Sequence, residues 1–288
     1  MSASLRSVLL SSSPIAALAT LPRCANPLCP RPPSLWQRWW ARREGRWLEE
    51  NWYCSSDCFY CGLVRRLDDV GAAGRRRTPR LNRLPLGLIL LSQGDITAEQ
   101  LRRALERQRS AGKGKIGEWL VEMGAVAEEQ VTNALAAQQG CPVFAPREPQ
   151  SLPAAMHWPQ PLTETYCAAP VFYNPAQSAL YVGFLEGVDH TFLNAVEQML
   201  QCRTDPCIVP PALFRRYLRH QAAHKTGETI VIRQRQDSFE MAQAIDNYAQ
   251  QVRAGRCALT LCGGHLWIRL SCADGFHVDF LFRAASGH

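Results

Sequence analysis

From Leu86 to Phe144, apolar and polar positions alternate in a pattern that is written twice at an offset of thirty residues. Gly87, Leu90, Gly94, Glu99, Gln100, Ala104, Leu105 and Gln108 recur as Gly117, Leu120, Gly124, Glu129, Gln130, Ala134, Leu135 and Gln138. Leu86/Ile116, Leu91/Val121, Ile96/Val126 and Leu101/Val131 keep the same character. Each unit predicts a short apolar helix stopped by a glycine that tolerates the left-handed conformation, then a longer amphipathic helix. Thr97 and Gln100 supply a capping box for the first long helix, and Leu101, Ala104, Leu105 and Gln108 fall on one of its faces. Ala127 stands where Thr97 stood, so the second cap should be weaker by roughly 1 kcal/mol. A repeat of this size has an apolar face that one copy cannot bury, so the two should pack on each other.

Beyond the repeat, Pro146, Pro149, Pro153, Pro159 and Pro161 mark an extended connection. The texture then becomes α/β: strands at Val171-Phe172-Tyr173 and Leu180 to Phe184, a helix capped by Asp189 and carrying Phe192, Val196 and Leu200, a short strand at Cys207-Ile208-Val209, Pro211 where a first helical position favours proline, and a helix at Leu213 to His220. The last segment predicts a helix capped at Asp237 or Ser238, then strands at Ala258–Leu261, His265–Ser271 and Phe276–Phe282. Towards the N-terminus, Cys24-x4-Cys29 and Cys54-x3-Cys58 have the layout of a structural zinc site, with Cys61 an alternative to one member of the second pair. The expected class is α+β multidomain: a small four-cysteine zinc module, a two-copy helical repeat domain, then α/β sandwich-like lobes. Boundaries are drawn at a leader (1–22), the cysteine module (23–62), a basic linker (63–82) in which Leu63 to Val70 reads as a short helix, the repeat (83–145), an α/β lobe (146–224) and a helix-plus-meander lobe (225–288).

The doubled block resembles the N-terminal domain of type II secretion and type IV pilus assembly ATPases, which in some members binds cyclic di-GMP. The resemblance implies ligand contacts at Leu86, Gly87, Gly94 and Gln108, and at Ile116, Gly117, Gly124 and Gln138. The family block opens with Arg-Leu-Gly, whereas here Pro85 and Lys115 hold the Arg positions, with Arg83 two residues upstream. Guanidinium grips a guanine edge or phosphate in two parallel bonds, ammonium offers a point charge, and proline offers no donor. The alternative is a docking module whose glycines are caps and whose glutamines are surface residues. Cys141–Phe144 is similar to the family's exit strand, the α/β lobe to the lobe that follows it, and the last segment to a PAS-like subdomain. The chain therefore reads as the family's regulatory modules without the motor.

Charge adds a second reading. Residues 23–83 carry thirteen Arg against six acids, which is the whole of the net +7, and five of the eight Trp (Trp36, Trp39, Trp40, Trp47, Trp52) lie among Arg38, Arg42, Arg43 and Arg46. Such a mixture either stacks on bases and grips phosphate or forms the core of a small module. No Gly-x4-Gly-Lys-Ser/Thr loop occurs, and Gly112-Lys113-Gly114-Lys115 lacks both its spacing and its hydroxyl. Cys257, Cys262 and Cys272 with His265 and His277 are read as packing, not as a second metal site. No run approaches 18 apolar residues, so no spanning helix is expected. These readings converge on a non-catalytic cytoplasmic adaptor that docks a secretion or pilus protein, with nucleic-acid binding as the alternative.

Overall fold

The computed structural model describes residues 23–30, 45–73, 83–146, 150–223, 227–232 and 237–283. The leader, Trp36, Trp39, Trp40, Arg38, Arg42, Arg43 and residues 74–82 of the basic linker lie outside them.

A hairpin of β1 (Arg46–Leu48) and β2 (Asn51–Tyr53) leads into α1 (Ser56–Ala73). The repeat follows as α2 (Leu86–Gln93), α3 (Ala98–Ala111), α4 (Ile116–Glu122) and α5 (Glu128–Gln139). Next come α6 (Gln160–Tyr166), β3 (Ala168–Asn174), β4 (Ala179–Phe184), α7 (His190–Leu200), β5 (Arg203–Ile208) and α8 (Pro211–Ala223). The chain closes with β6 (Gly227–Ile232), α9 (Ser238–Gln251), β7 (Arg256–Cys262), β8 (His265–Ser271) and β9 (His277–Arg283).

The three-stranded sheet runs β3-β4-β5, and the six-stranded sheet runs β2-β1-β7-β8-β9-β6. That second order departs from the expected boundaries. Leu48 pairs with Cys257 in parallel register, and Glu49 N–H donates to the Cys257 carbonyl at 2.7 Å, so the cysteine segment is part of the C-terminal sheet. The linker expected from residue 63 begins as helix, because α1 continues to Ala73. Phe59, Leu63, Leu67 and Val70 recur at helical spacing, and all four bury into one core with Ile245, Ala249, Ile268 and Phe280.

Alternation along the meander divides the large sheet into two faces. Leu259, Ile268 and Phe280 turn towards α1 and α9, while Cys262, Trp267 and Leu281 turn towards α7, whose Phe192 and Val196 also pack on Phe184 and Ile208 of the small sheet. On this second face lies a buried ion pair. Arg269 donates to both Asp279 oxygens at 2.8 Å and to the carbonyls of Ala155 and His157 at 3.0 and 2.6 Å, and Trp267 Nε1 donates to Asp279 at 2.7 Å. The pair pins the proline-rich connection onto the sheet. The expected exit strand reduces to one bridge, Val143 with Ile208.

Candidate functional site

The repeat folds as its periodicity requires, and each copy reaches across to the other. Thr97 accepts from Gln100 N–H at 3.2 Å and the Gln100 side chain accepts from Thr97 N–H at 2.7 Å, which completes the capping box. In the second copy only half of it exists: Gln130 accepts from Ala127 N–H at 3.0 Å, and Ala127 has no oxygen to return. Gly94 and Gly124 end the short helices at φ 78° and 66°, the left-handed region that penalises a Cβ. Gly87 and Gly117 serve a different need. A Cβ on Gly87 would lie 2.6 Å from Leu101 Cδ1, and one on Gly117 would lie 2.9 Å from Val131 Cγ1, so these glycines let a short helix cross the long helix of its own copy at close range.

The two glutamines close the pair reciprocally. Gln108 Nε2 donates to the Gly114 carbonyl at 2.8 Å, and Gln138 Nε2 donates to the Leu84 carbonyl at 2.6 Å. Leu84 and Gly114 are themselves equivalent positions, so each copy's glutamine latches the turn that opens the other. Leu86 and Ile116 sit behind these turns, half-buried in the repeat core around Leu90, Leu120, Ala104 and Ala134. Pro85 caps α2 without a side-chain bond, and Arg83 stays half-buried upstream of it. Lys115 forms an ion pair with Glu186 of the α/β lobe.

Glu186 was not foreseen, nor was Gln139, whose Oε1 accepts from Val188 N–H at 3.1 Å. Both fasten the lobe to the second copy, and sequence asymmetry explains the choice. Ala136 is buried among Trp158, Val188 and Phe192, whereas its equivalent Glu106 is exposed and paired with Arg102. An apolar lobe surface docks on alanine and would have to desolvate a charge pair on the other copy.

The second constellation is the cysteine cluster. The Sγ atoms of Cys24, Cys29, Cys54 and Cys58 lie within 4.8 Å of one another, with Cys29 to Cys54 at 3.5 Å and Cys54 to Cys58 at 3.9 Å. A tetrahedral thiolate site with metal–sulfur bonds near 2.3 Å has edges of about 3.8 Å, so the four atoms fit such an ion. Cys61, three residues further along α1, is exposed and is not among the four. Asn26 Nδ2 donates to Cys58 Sγ at 3.4 Å, a supporting contact the spacing did not disclose. Burial pushes the Cys24 and Cys54 thiols up. Burial acts the same way on Cys58, but hydrogen bonds from Asn26, Ser55, Cys29 and Cys24 outweigh it and hold that thiol below its ordinary value. Cys257 and Cys262 stand at opposite ends of β7 in different cores, so packing accounts for them.

The two constellations of the described residues are thus a helical repeat with self-latched turns and a cluster of four thiols. No family model matches the chain. Over 128 residues it is 30% identical to the type IV pilus assembly ATPase PilB of Thermus thermophilus, an alignment that takes in 42% of this chain and 14% of that protein. The chain thus spans only a small part of that relative's length. Among solved structures, one of MshE with cdg is 25% identical with a TM-score of 0.39, covering 47% of this chain and 99% of that one. The N-terminal domain of XpsE is 16% identical with a TM-score of 0.37, covering 50% and 97%. Among the described residues, no helix is long and apolar enough to cross a membrane.

Proposed function

We propose that this chain is a non-catalytic regulatory or adaptor protein, related to the non-motor part of type II secretion and type IV pilus ATPases, that works in the cytoplasm by docking a protein of such machinery. The observation that carries the reading is the pairing of the 30% identity to a pilus ATPase with a repeat that folds as two reciprocally latched copies. The four-cysteine cluster holds a structural zinc ion, for which soft thiolates at tetrahedral separations are the suited donor set. What zinc would supply here is cross-linking of the residue 24–58 segment.

Cyclic di-GMP is the ligand proposed for the repeat, at Leu86, Gly87, Gly94 and Gln108 together with Ile116, Gly117, Gly124 and Gln138, and with Lys115 and Arg83 as the cations. A molecule of two equivalent halves suits a site of two equivalent turns. Binding has costs that the geometry makes explicit: Gln108 and Gln138 must exchange carbonyl partners for ligand edges, and Lys115 must leave Glu186. With Pro at 85 one guanidinium contact is lost outright, worth about 1.5–3 kcal/mol, and with Lys at 115 the other keeps its charge but loses its bidentate geometry.

Calorimetric titration with cyclic di-GMP tests this. Pro85→Arg with Lys115→Arg should tighten binding by roughly ten- to a hundredfold, and Gln138→Ala should weaken it. No heat from either the natural protein or the double variant at high micromolar ligand would remove the nucleotide and leave docking. Docking has its own test at Leu88, which is exposed beside the latched Leu84 turn. A photocrosslinker at position 88 should trap a secretion or pilus protein in cells, and trapping only nucleic acid would overturn the adaptor reading. The described part of the Arg/Trp stretch does not favour nucleic acid, because Trp52 is buried and Arg46 is paired with Asp246 at 2.9 Å.

A further inference from the structure

We infer that the metal at Cys24, Cys29, Cys54 and Cys58 locks a discontinuous domain, so that its release opens the C-terminal lobe of β6 to β9 and α9 while the repeat stays folded. The inference rests on the zinc reading above and extends it from a local staple to control of a distant lobe.

Connectivity comes first. Residues 83–223 leave and return between two parts of one body, since β1 and β2 are two of the six strands in a sheet whose other four lie beyond residue 226. The metal does not bridge these two parts, because all four ligands lie between residues 24 and 58. It acts on the N-terminal part alone, by shaping in advance the surface that docks. An element ordered before it docks loses less entropy on docking, which is the general advantage of preorganisation.

Among the described residues, little else shapes the segment that precedes α1. β1 and β2 are three residues each, and an isolated hairpin of that size is not stable in water. Residues 23–30 form no helix or strand, and their backbone tie to the hairpin is Ala25 N–H to the Trp52 carbonyl at 2.8 Å. The ligands stand where order is needed: Cys54 immediately follows β2, and Cys58 lies in the first turn of α1. Phe59 and Leu63, both fully buried against the C-terminal sheet and α9, follow directly on Cys58. A shift of this corner therefore displaces the side chains that cover Ile245, Ala249 and Ile268. Arg46, held between Ser56 at 3.2 Å and Asp246 at 2.9 Å, ties the same corner to α9.

Loss of the corner has a defined outcome. β7 becomes the edge of a four-stranded sheet with unpaired backbone groups, and the face of that sheet beneath α1 is exposed to water. The repeat shares no core residue with this cluster, since Leu90, Ile96, Ala104, Leu120, Val126 and Ala134 form their own.

The test is hydrogen exchange on the full chain under reducing conditions, with zinc measured before and after treatment with a thiol-specific mercurial, and again after removal of the mercurial and return of zinc. Segments covering residues 256–271 should exchange about tenfold faster or more once zinc is lost, and recover when it returns. Residues 86–139 should be unchanged. Cys29→Ser should reproduce the zinc-free pattern, and Cys61→Ser should retain both zinc and protection. Zinc lost with protection at 256–271 intact would overturn the lock while leaving structural zinc in place, and equal loss across the repeat would overturn its selectivity. Absence of metal in the purified protein would remove the zinc reading and the lock together.

Discussion

Replacing Asp279 by Ala should be severely destabilising, because it breaks a buried ion pair from one side. The Arg269 and Asp279 side chains are 5% and 3% exposed, so solvent cannot take over for a missing partner. Asp279 accepts from Trp267 Nε1 at 2.7 Å and from Arg269 Nε and Nη2 at 2.8 Å, and alanine removes the acceptor of all three bonds. Arg269 keeps its bonds to the Ala155 and His157 carbonyls and so stays in place as an uncompensated charge. Breaking a buried pair from one side costs about 3–5 kcal/mol. For a chain of this size that lowers the melting temperature by roughly 10 °C. Removing both charges with Arg269→Met and Asp279→Leu leaves the Trp267 N–H and two carbonyls unpaired but no lone charge, so the double variant should be about 1–2 kcal/mol more stable than Asp279→Ala. Urea unfolding followed by far-UV circular dichroism compares the three proteins. A loss below about 1 kcal/mol in Asp279→Ala, or a double variant no better than the single, would show that the pair is not a buried, mutually dependent one.

The reciprocal latch predicts that Gln138→Ala weakens the repeat by about 1 kcal/mol and speeds amide exchange in α2, with Gln108→Ala doing the same for α4. Ala127→Thr should restore the missing half of the second capping box and stabilise by up to about 1 kcal/mol, while Thr97→Ala should cost about as much, both read by thermal melting. His157 and His277 are held neutral, chiefly by burial and then in part by the Arg269 charge, against which Asp279 pulls His277 the other way. Their folded-state pKa values lie below the unfolded value near 6.5, so the unfolded chain binds protons first; stability should hold above pH 6.5 and decline below it, and His277→Gln should flatten that decline in urea titrations. Iodoacetamide should label the exposed Cys61 in the native zinc-loaded protein well before Cys54 or Cys58.

Much of the local structure was legible. The Thr97 box, the Gly94 and Gly124 stops, the Asp189 cap with its 2.9 Å bond from Phe192 N–H, and the His265–Ser271 strand all arise from contacts within a few residues of each other. Of α1, the stretch from Leu63 to Val70 was legible as a short helix, but Gly62 and Gly71 and the arginines that follow made the segment around it read as linker. β6 carries Thr229-Ile230-Val231-Ile232, a strand-forming run too short to be told apart from other apolar text without its partner β9.

Short-range periodicity and capping are enough to specify the doubled helical unit, the meander hairpins, and four cysteines at metal-binding spacing. That the cysteine segment belongs to the C-terminal sheet, that each glutamine closes the opposite copy, and that the α/β lobe sits on Ala136 in preference to Glu106 are settled by long-range packing. The physical reason is separation along the chain. Leu48 meets Cys257, and Arg46 meets Asp246, across some two hundred residues. No periodicity links positions that far apart; their pairing emerges when buried area outweighs the entropy of closing the loop between them.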